Sequence, residues 1–286
     1  PGVGGVVRTL MTINHALYVG GQFSRAGDKR VNNLARWNGI NWVNVGNGVN
    51  TNDPSKKQAV VNASAGLSGK PFFGGIFDGA GCTISKAGTV LCDKTAANIV
   101  YWDRKNQQFG TLPGGGVNGS ESKQGTTSVN TMAFFGSYLW IGGNFTSAGN
   151  LTNLTKVTYL DSSFNWAEKK IIGIGNTGIK IKKINMPYMF FSLTVQKAEQ
   201  YLNIGGDFDS INSVVSGKEV ASENFNMMKD SNLFEMSGGG VNSNGGSAAE
   251  VRAITAWHDK DANVLGVFVG GDFTGVDDFS SSKGTG

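Results

Sequence analysis

The sequence predicts an all-β chain of tandem four-stranded sheets, stacked as the blades of a β-propeller. Three observations carry that prediction. Glycine is abundant beside aromatic and β-branched residues. One short motif recurs along the whole chain at near-regular spacing. Strand-like segments and glycine turns then fall at fixed offsets from each copy of it.

Glycine accounts for 43 of 286 residues, with 17 Phe, 6 Trp and 6 Tyr among them. No G-X-Y period is present, so the glycine is not collagenous. Glycine mixed with large apolar residues marks many short strands joined by tight turns. Charged residues make up 16%, below the usual quarter or so. The hydrophobic share of 39% is enough for a core and too high for a disordered chain.

The motif is an apolar-rich triplet, then Gly-Gly, any residue, and Phe. Its copies run Leu17 to Phe23, Pro71 to Phe77, Leu139 to Phe145, Leu202 to Phe208 and Val267 to Phe273. The repeat-defining residues are Gly20, Gly21 and Phe23; Gly74, Gly75 and Phe77; Gly142, Gly143 and Phe145; Gly205, Gly206 and Phe208; and Gly270, Gly271 and Phe273. Successive first glycines are 54, 68, 63 and 65 residues apart. A glycine pair inside a strand permits a bulge or close backbone approach, since it lacks Cβ.

Each remaining element follows in order. A strand candidate precedes the motif, as in Val6 to Met11, Val129 to Phe135 and Val251 to Trp257. An Ala-Gly step comes after it at positions 26–27, 80–81 and 148–149, replaced by Ile211-Asn212 in the fourth copy. A third strand opens on Asn33, Asn98 and Asn153. A fourth carries Trp42, Phe109, Trp166 or Phe234, and a glycine turn closes the unit. The opening Gly2-Val3-Gly4 fits the end of such a turn. Repeat 1 thus covers 1–50, repeat 2 covers 51–119, repeat 3 covers 120–178, repeat 4 covers 179–246 and a partial repeat 5 covers 247–286. Together they form one propeller domain or segment of about four and a half blades. A sheet of this kind cannot bury both faces alone, so its neighbours must supply the core.

The phrase from Leu17 to Asn50 resembles the kelch-like repeat family of large secreted and cell-surface proteins. It is also similar to the repeats of fungal cortical-marker proteins. The resemblance covers nearly the whole chain and is strongest in the first copy. It implies a propeller fold, an extracellular setting and mostly non-enzymatic roles, with no shared catalytic residues. Because the chain opens and closes inside a repeat, we expect a segment of a longer protein, or a fifth sheet completed from elsewhere.

Two departures stand out. Repeat 2 carries an insertion that holds the only cysteines, Cys82 and Cys92. Two sulfurs without a nearby His make no zinc site. A disulfide closing a hairpin-like loop is the better reading, and it implies an oxidising compartment. In repeat 4, the segments 189–200 and 214–230 read as longer, less regular loops of the kind that form a binding face.

Other signals carry less. The net charge of +4 is dispersed. Lys169, Lys170, Lys180, Lys182 and Lys183 read as the wet face of a strand rather than a nucleic-acid patch. Gly173 to Gly178 matches GxGxxG but precedes a strand-like alternation, not the helix a dinucleotide site needs. His15 and His258 read as surface turn residues. Asp207, Asp209, Asp272, Asp277 and Asp278 lack calcium-loop spacing and read as turn carboxylates. Asn62, Asn118, Asn150 and Asn153 begin accessible-looking N-x-[ST] sequons; Asn144 begins another inside the motif.

The resulting expectation is a non-enzymatic, extracellular or surface module for structure or adhesion, with assembly into an appendage or filament as its extension. Its partners are other proteins or glycans, including copies of itself, with no nucleic acid, membrane insertion, metal or cofactor. The rival is a carbohydrate-active or oxidase-like propeller enzyme, which needs carboxylates or metal ligands converging on one axis.

Overall fold

The computed structural model describes residues 2–52, 58–119, 126–135, 137–152, 154, 157–166, 180–181, 192–196, 201–205, 210–212, 219–221, 225–229, 232–233, 241–242, 250–258 and 264–276. The described chain is all-β, with several antiparallel sheets and one short 3-10 turn at Pro113–Gly115. It divides into two compact units. The first is Pro1–Asn153 with Tyr159–Trp166; the second is Leu154–Thr158 with Ala167–Gly286.

In the first unit, β1 (Val3–Ile13), β2 (Ala16–Ala26), β3 (Lys29–Arg30), β4 (Leu34–Trp37) and β5 (Trp42–Asn44) form one sheet in the order β1-β2-β4-β5, with β3 on β2. The short β6 (Val49–Asn50) leads to β7 (Val60–Leu67) and β8 (Lys70–Ile76). Next come β9 (Gly79–Ile84), β10 (Val90–Thr95), β11 (Ile99–Asp103) and β12 (Gln108–Gly110). The second sheet is β7-β8-β11-β12. After β13 (Val117–Asn118), β14 (Ser128–Phe135) and β15 (Tyr138–Asn144) pair, β16 (Ser147–Ala148) branches off, and β17 (Val157–Leu160) completes β14-β15-β17. Leu160 then bridges Trp166. Each repeat is therefore an up-and-down sheet centred on its Gly-Gly strand.

The two glycines of the motif do different work. A Cβ on Gly21, Gly75 or Gly143 would collide with the carbonyl oxygen of Val6, Val60 or Ser128 in the neighbouring strand of its own sheet. The ladder slips there in each case, between Val7 and Thr9, Val61 and Ala63, and Val129 and Thr131. The second glycine thus makes room for a bulge. A Cβ on Gly20 would lie 2.5 Å from Val61 Cγ1, and one on Gly74 would lie 2.4 Å from Val129 Cγ1. The first glycine is a floor on which the next sheet's valine rests. Sheets packed this closely bury Tyr18, Phe73, Phe77 and Val100 in one cluster, with Tyr18 and Phe73 rings 5.7 Å apart.

A second, smaller contact joins successive repeats. The closing Val-Asn of one repeat pairs with the step before Ala-Gly in the next: Val49 with Ala80 and Asn50 with Gly79, then Val117 with Ala148 and Asn118 with Ser147. Val3 pairs with Ala26 in the same way. The Ala-Gly glycine donates its N–H back across this ribbon, from Gly27 to Gly2 O, Gly81 to Gly48 O, and Gly149 to Gly116 O, at 2.8–2.9 Å. Its φ is +58°, +69° and +55° in the three copies, a region that glycine enters without the usual Cβ penalty.

Between the third and fourth strands, one side-chain oxygen organises each turn. Asn38 Oδ1 accepts from the Ile40 and Asn41 N–H groups, Asp103 Oδ1 from Lys105 and Asn106, and Asp161 Oδ1 from Ser163 and Asn165. The Asn106 N–H, ahead of the Lys70 ammonium, holds the Asp103 carboxyl below its usual range. In the third sheet, burial pushes the Tyr159 phenol up to about 12, with Tyr138 adding to the shift.

In the second unit the order repeats. The strands are β18 (Lys180–Ile181), β19 (Ser192–Gln196), β20 (Tyr201–Gly205), β21 (Ser210–Asn212), β22 (Glu219–Ala221), β23 (Phe225–Lys229) and β24 (Asn232–Leu233). They are followed by β25 (Val241–Asn242), β26 (Glu250–His258), β27 (Val264–Asp272) and β28 (Gly275–Val276). One sheet is β19-β20-β23-β24, another β26-β27, and the ribbons are β18-β21-β22 and β25-β28. A Cβ on Gly205 would lie 2.4 Å from Val251 Cγ1, the same floor-and-valine step as in the first unit.

The fourth repeat is more regular than its sequence predicts. The stretches expected as irregular loops contain β19, β22 and β23. Leu193 and Val195 alternate with Ser192, Thr194 and Gln196, a period-2 pattern without the valine-and-glycine signature of the other copies. His258 ends β26 opposite Val264, rather than sitting in the turn. The hairpin there runs further than its counterpart at His15, a turn residue with φ of +59°.

Candidate functional site

The site begins with a buried asparagine. Asn33 and Asn98 adopt φ of +63° and +65°, in the left-handed region that Asn tolerates better than most residues. Each sits where three segments of chain meet. The Phe23 N–H donates to Asn33 Oδ1 at 3.2 Å, while Asn33 Nδ2 donates to Val49 O at 3.1 Å. In the next repeat the Phe77 N–H donates to Asn98 Oδ1 at 3.3 Å, and Asn98 Nδ2 donates to Val117 O at 3.0 Å. Their backbones complete the clasp, with the Gly21 and Gly75 N–H groups donating to Asn33 O and Asn98 O. One amide thus ties the motif strand to the ribbon that reaches the following repeat. The sequence showed an Asn at this offset in three copies, but its role was hidden because its partners lie 10 to 21 residues away and meet it only in the folded sheet. The third, Asn153, lies outside the described residues.

Beside the Asn33 clasp the chain opens a groove of about 770 Å³ where repeats 1 and 2 meet. Gln22, Ser24, Asn32, Asn50, Asn52 and Gln58 line it with neutral polar groups; Val6 and Ile84 supply apolar flanks. No described lining residue is ionisable. Asp78 stands behind one wall and holds it, accepting from Thr51 Oγ1 at 2.6 Å and the Asn52 N–H at 2.9 Å. Gln22 Nε2 donates to Gln58 Oε1 across the opposite side. Amide side chains present donors and acceptors together, which matches peptide groups and sugar hydroxyls. They offer neither a general base nor a nucleophile.

The insert of repeat 2 forms the rim of this groove. β9 and β10 pair as a hairpin in which Cys82 and Cys92 lie directly opposite and are joined as a disulfide. Asn32 Nδ2 donates to Cys82 O at 2.7 Å and to Asn47 O at 2.8 Å, tying the base of the hairpin to repeat 1. A crosslink closing so short a loop contributes roughly 2–3 kcal/mol. The hairpin exposes Ile84 and Leu91. Repeat 4 has the same three-strand ribbon in β18-β21-β22, without cysteines.

Most of the repeat-defining residues lie among the described residues. Phe23, Phe77 and Phe145 are buried, and Gly142 sits in β15. Gly205 ends β20, Gly270 and Gly271 lie in β27, and Phe273 follows it. Gly206 and Phe208 lie outside the described residues. Among the sequons, Asn118 and Asn150 are exposed. Asn62 is half-buried, and the Nδ2 a glycan would modify donates to Val129 O at 3.1 Å. Asn144 is buried, with its Nδ2 donating to Thr126 O. Lys180 opens β18, and Asp272 ends β27 on the surface. The GxGxxG segment, Asp207, Asp209, Asp277, Asp278, Lys169, Lys170, Lys182 and Lys183 lie outside the described residues.

Among the described residues, no group of three or more His, Cys, Asp or Glu is placed to hold a metal ion. No helix among them is long and apolar enough to cross a membrane. No protein-family model matches the chain, and no curated protein matches its sequence.

Proposed function

We propose that this chain is a run of kelch-like β-propeller blades from a secreted or cell-surface protein, working as a non-enzymatic interaction module. The observation that carries the binding role is the neutral, amide-lined groove beside a stapled hairpin. It offers a ligand hydrogen-bond partners held in place by Asp78 and the Asn33 clasp, with no ionisable group among its described lining residues. The repeated floor-and-valine step supports the blade reading, because sheets that pack face to face through one recurring contact stack into a regular array. The disulfide is compatible with an oxidising, extracellular compartment. Within this reading the groove holds a neutral glycan.

The test is NMR of the side-chain amide resonances during titration with neutral oligosaccharides of β-glucan, chitin and mannan type. Shifts confined to Gln22, Asn52 and Gln58, lost in Asn52→Ala, support the assignment. Shifts only elsewhere, or the appearance of new reducing ends in the mixture, would overturn it.

A further inference from the structure

The fold treats the sequons of this chain differently. An N-linked glycan needs an asparagine whose Nδ2 ends in water, with the hydroxyl two residues later also accessible. Transfer happens as the chain enters a secretory compartment, so a modified asparagine must afterwards find an outward place in the folded protein. Asn144 is buried, with its Nδ2 donating to Thr126 O at 3.0 Å. Asn62 is half-buried between sheets, its Nδ2 reaching Val129 O at 3.1 Å and Asn130 Oδ1 at 3.4 Å. A glycan on either would have to displace the neighbouring sheet.

Asn150 is placed the opposite way. Ala148 and Leu151 exchange both backbone bonds, Ala148 N–H to Leu151 O at 3.1 Å and Leu151 N–H to Ala148 O at 2.9 Å. Gly149 and Asn150 are therefore the two central residues of a tight hairpin turn, and Gly149 supplies the positive φ such turns favour, +55°. Asn150 and Thr152 are exposed, while Leu151 between them is half-buried. The base of the turn is anchored. Gly149 N–H donates to Gly116 O, and its Cα packs so closely on Trp166 that a Cβ would lie 2.3 Å from the indole Cδ1. Trp166 Nε1 in turn donates to Pro113 O at 2.8 Å.

The same turn recurs in repeat 1, where Ala26 pairs with Lys29 around Gly27 and Asp28. The Asp28 side chain, at the place of Asn150, is 79% exposed. In repeat 2 the residue after Ala-Gly is Cys82, where the disulfide hairpin grows out. This tip is thus where successive repeats project into solvent.

We propose that Asn150 is an N-glycosylation site, with Thr152 as the hydroxyl of its sequon. The donor is a polyprenyl-diphosphate-linked oligosaccharide. Asn150 Nδ2 forms a bond to the sugar C1 as the C1–O bond to the diphosphate breaks; the polyprenyl diphosphate leaves with the bonding pair, and one amide proton passes to a base of the transferase. The site deepens the secreted reading above, on which its compartment rests.

The test expresses the full chain behind a cleavable leader in a eukaryotic secretory host. Peptide-N-glycosidase in heavy-oxygen water converts an occupied asparagine to labelled aspartate, and peptide fragmentation reads each asparagine separately. Label is expected at Asn150, lost in Thr152→Ala and retained in Asn153→Gln, with none at Asn62 or Asn144. The paired change Asp28→Asn with Arg30→Thr places a sequon on the repeat 1 tip and is expected to add a second label. Absence of label at Asn150 in the total cellular chain would overturn the proposal, as would label at Asn62 or Asn144 in folded protein. An unlabelled repeat 1 tip would show that the turn does not present the acceptor, and would overturn it too. Export is read separately, from oxidised Cys82–Cys92 in the medium. Exported chain without label sinks the site and leaves the secreted reading standing; labelled chain that is retained with free thiols does the reverse.

Discussion

Val7 and Val61 hold the same place in consecutive repeats, each one residue before the bulge and facing away from the sheet that follows. Val61 is wholly buried against Gly20, while Val7 is 40% exposed. Identical residues at identical steps thus contribute different amounts to stability, because the neighbouring sheet decides whether the side chain leaves water. In this fold the unit of stabilisation is the junction between repeats, not the repeat.

The comparison breaks most sharply at the glycine floors. Gly74→Leu is expected to cost about 3 kcal/mol or more, since its side chain must displace Val129 from a well-packed interface. Gly270→Ala is expected to be nearly neutral, since among the described residues its added Cβ would displace no atom. Urea unfolding of the two variants, followed by tryptophan fluorescence, measures the contrast. Equal losses would show that the glycines matter only for backbone freedom.

Next in size is the clasp. Asn98→Ala strands the Phe77 N–H and Val117 C=O inside the protein and places Ala at a positive φ. The expected loss is about 3 kcal/mol, since each unsatisfied buried group costs about 1–3. Asn98→Gly relieves the backbone strain but not the missing bonds, so it is expected to recover only part. Full recovery in Asn98→Gly would assign the effect to φ alone.

A smaller effect separates the two valines themselves. Val61→Ala is expected to cost about 2 kcal/mol as a buried large-to-small change. Val7→Ala, by contrast, stays within about 0.5 as a surface change.

The smallest effect is in pH. Tyr159 has its folded pKa raised to about 12, against about 10 for the unfolded chain. Its neutral form is favoured by folding, so the contribution is complete below pH 10 or so and falls as pH rises toward 12. Alkaline titration at the phenolate absorbance band is expected to show a late-ionising component that Tyr159→Phe removes. An unchanged curve in that variant would place the delayed group elsewhere.

Much of this was readable before any coordinates. The motif spacing marked the central strands, the fixed aromatics marked the core, and the lone cysteine pair marked the hairpin that β9 and β10 form. The groove was not readable. Gln22, Asn52 and Gln58 are unremarkable polar residues in sequence, drawn to one surface only because Val49-Asn50 pairs with Gly79-Ala80. The strand Ser192–Gln196 was missed because its alternation lacks the expected glycine and valine partners.

Local sequence alone determined that these segments extend, turn and repeat, because glycine, β-branched and aromatic residues restrict backbone geometry within a few residues of themselves. Only the tertiary structure decided which glycine of each pair clears a bulge and which supports a neighbour. It also decided which valine is interior, and which amides face a common opening. Those properties depend on which strands pair and which sheets stack, and the stacking joins atoms as distant in the chain as those of Thr9 and Ser64, 55 residues apart and 2.7 Å between oxygens.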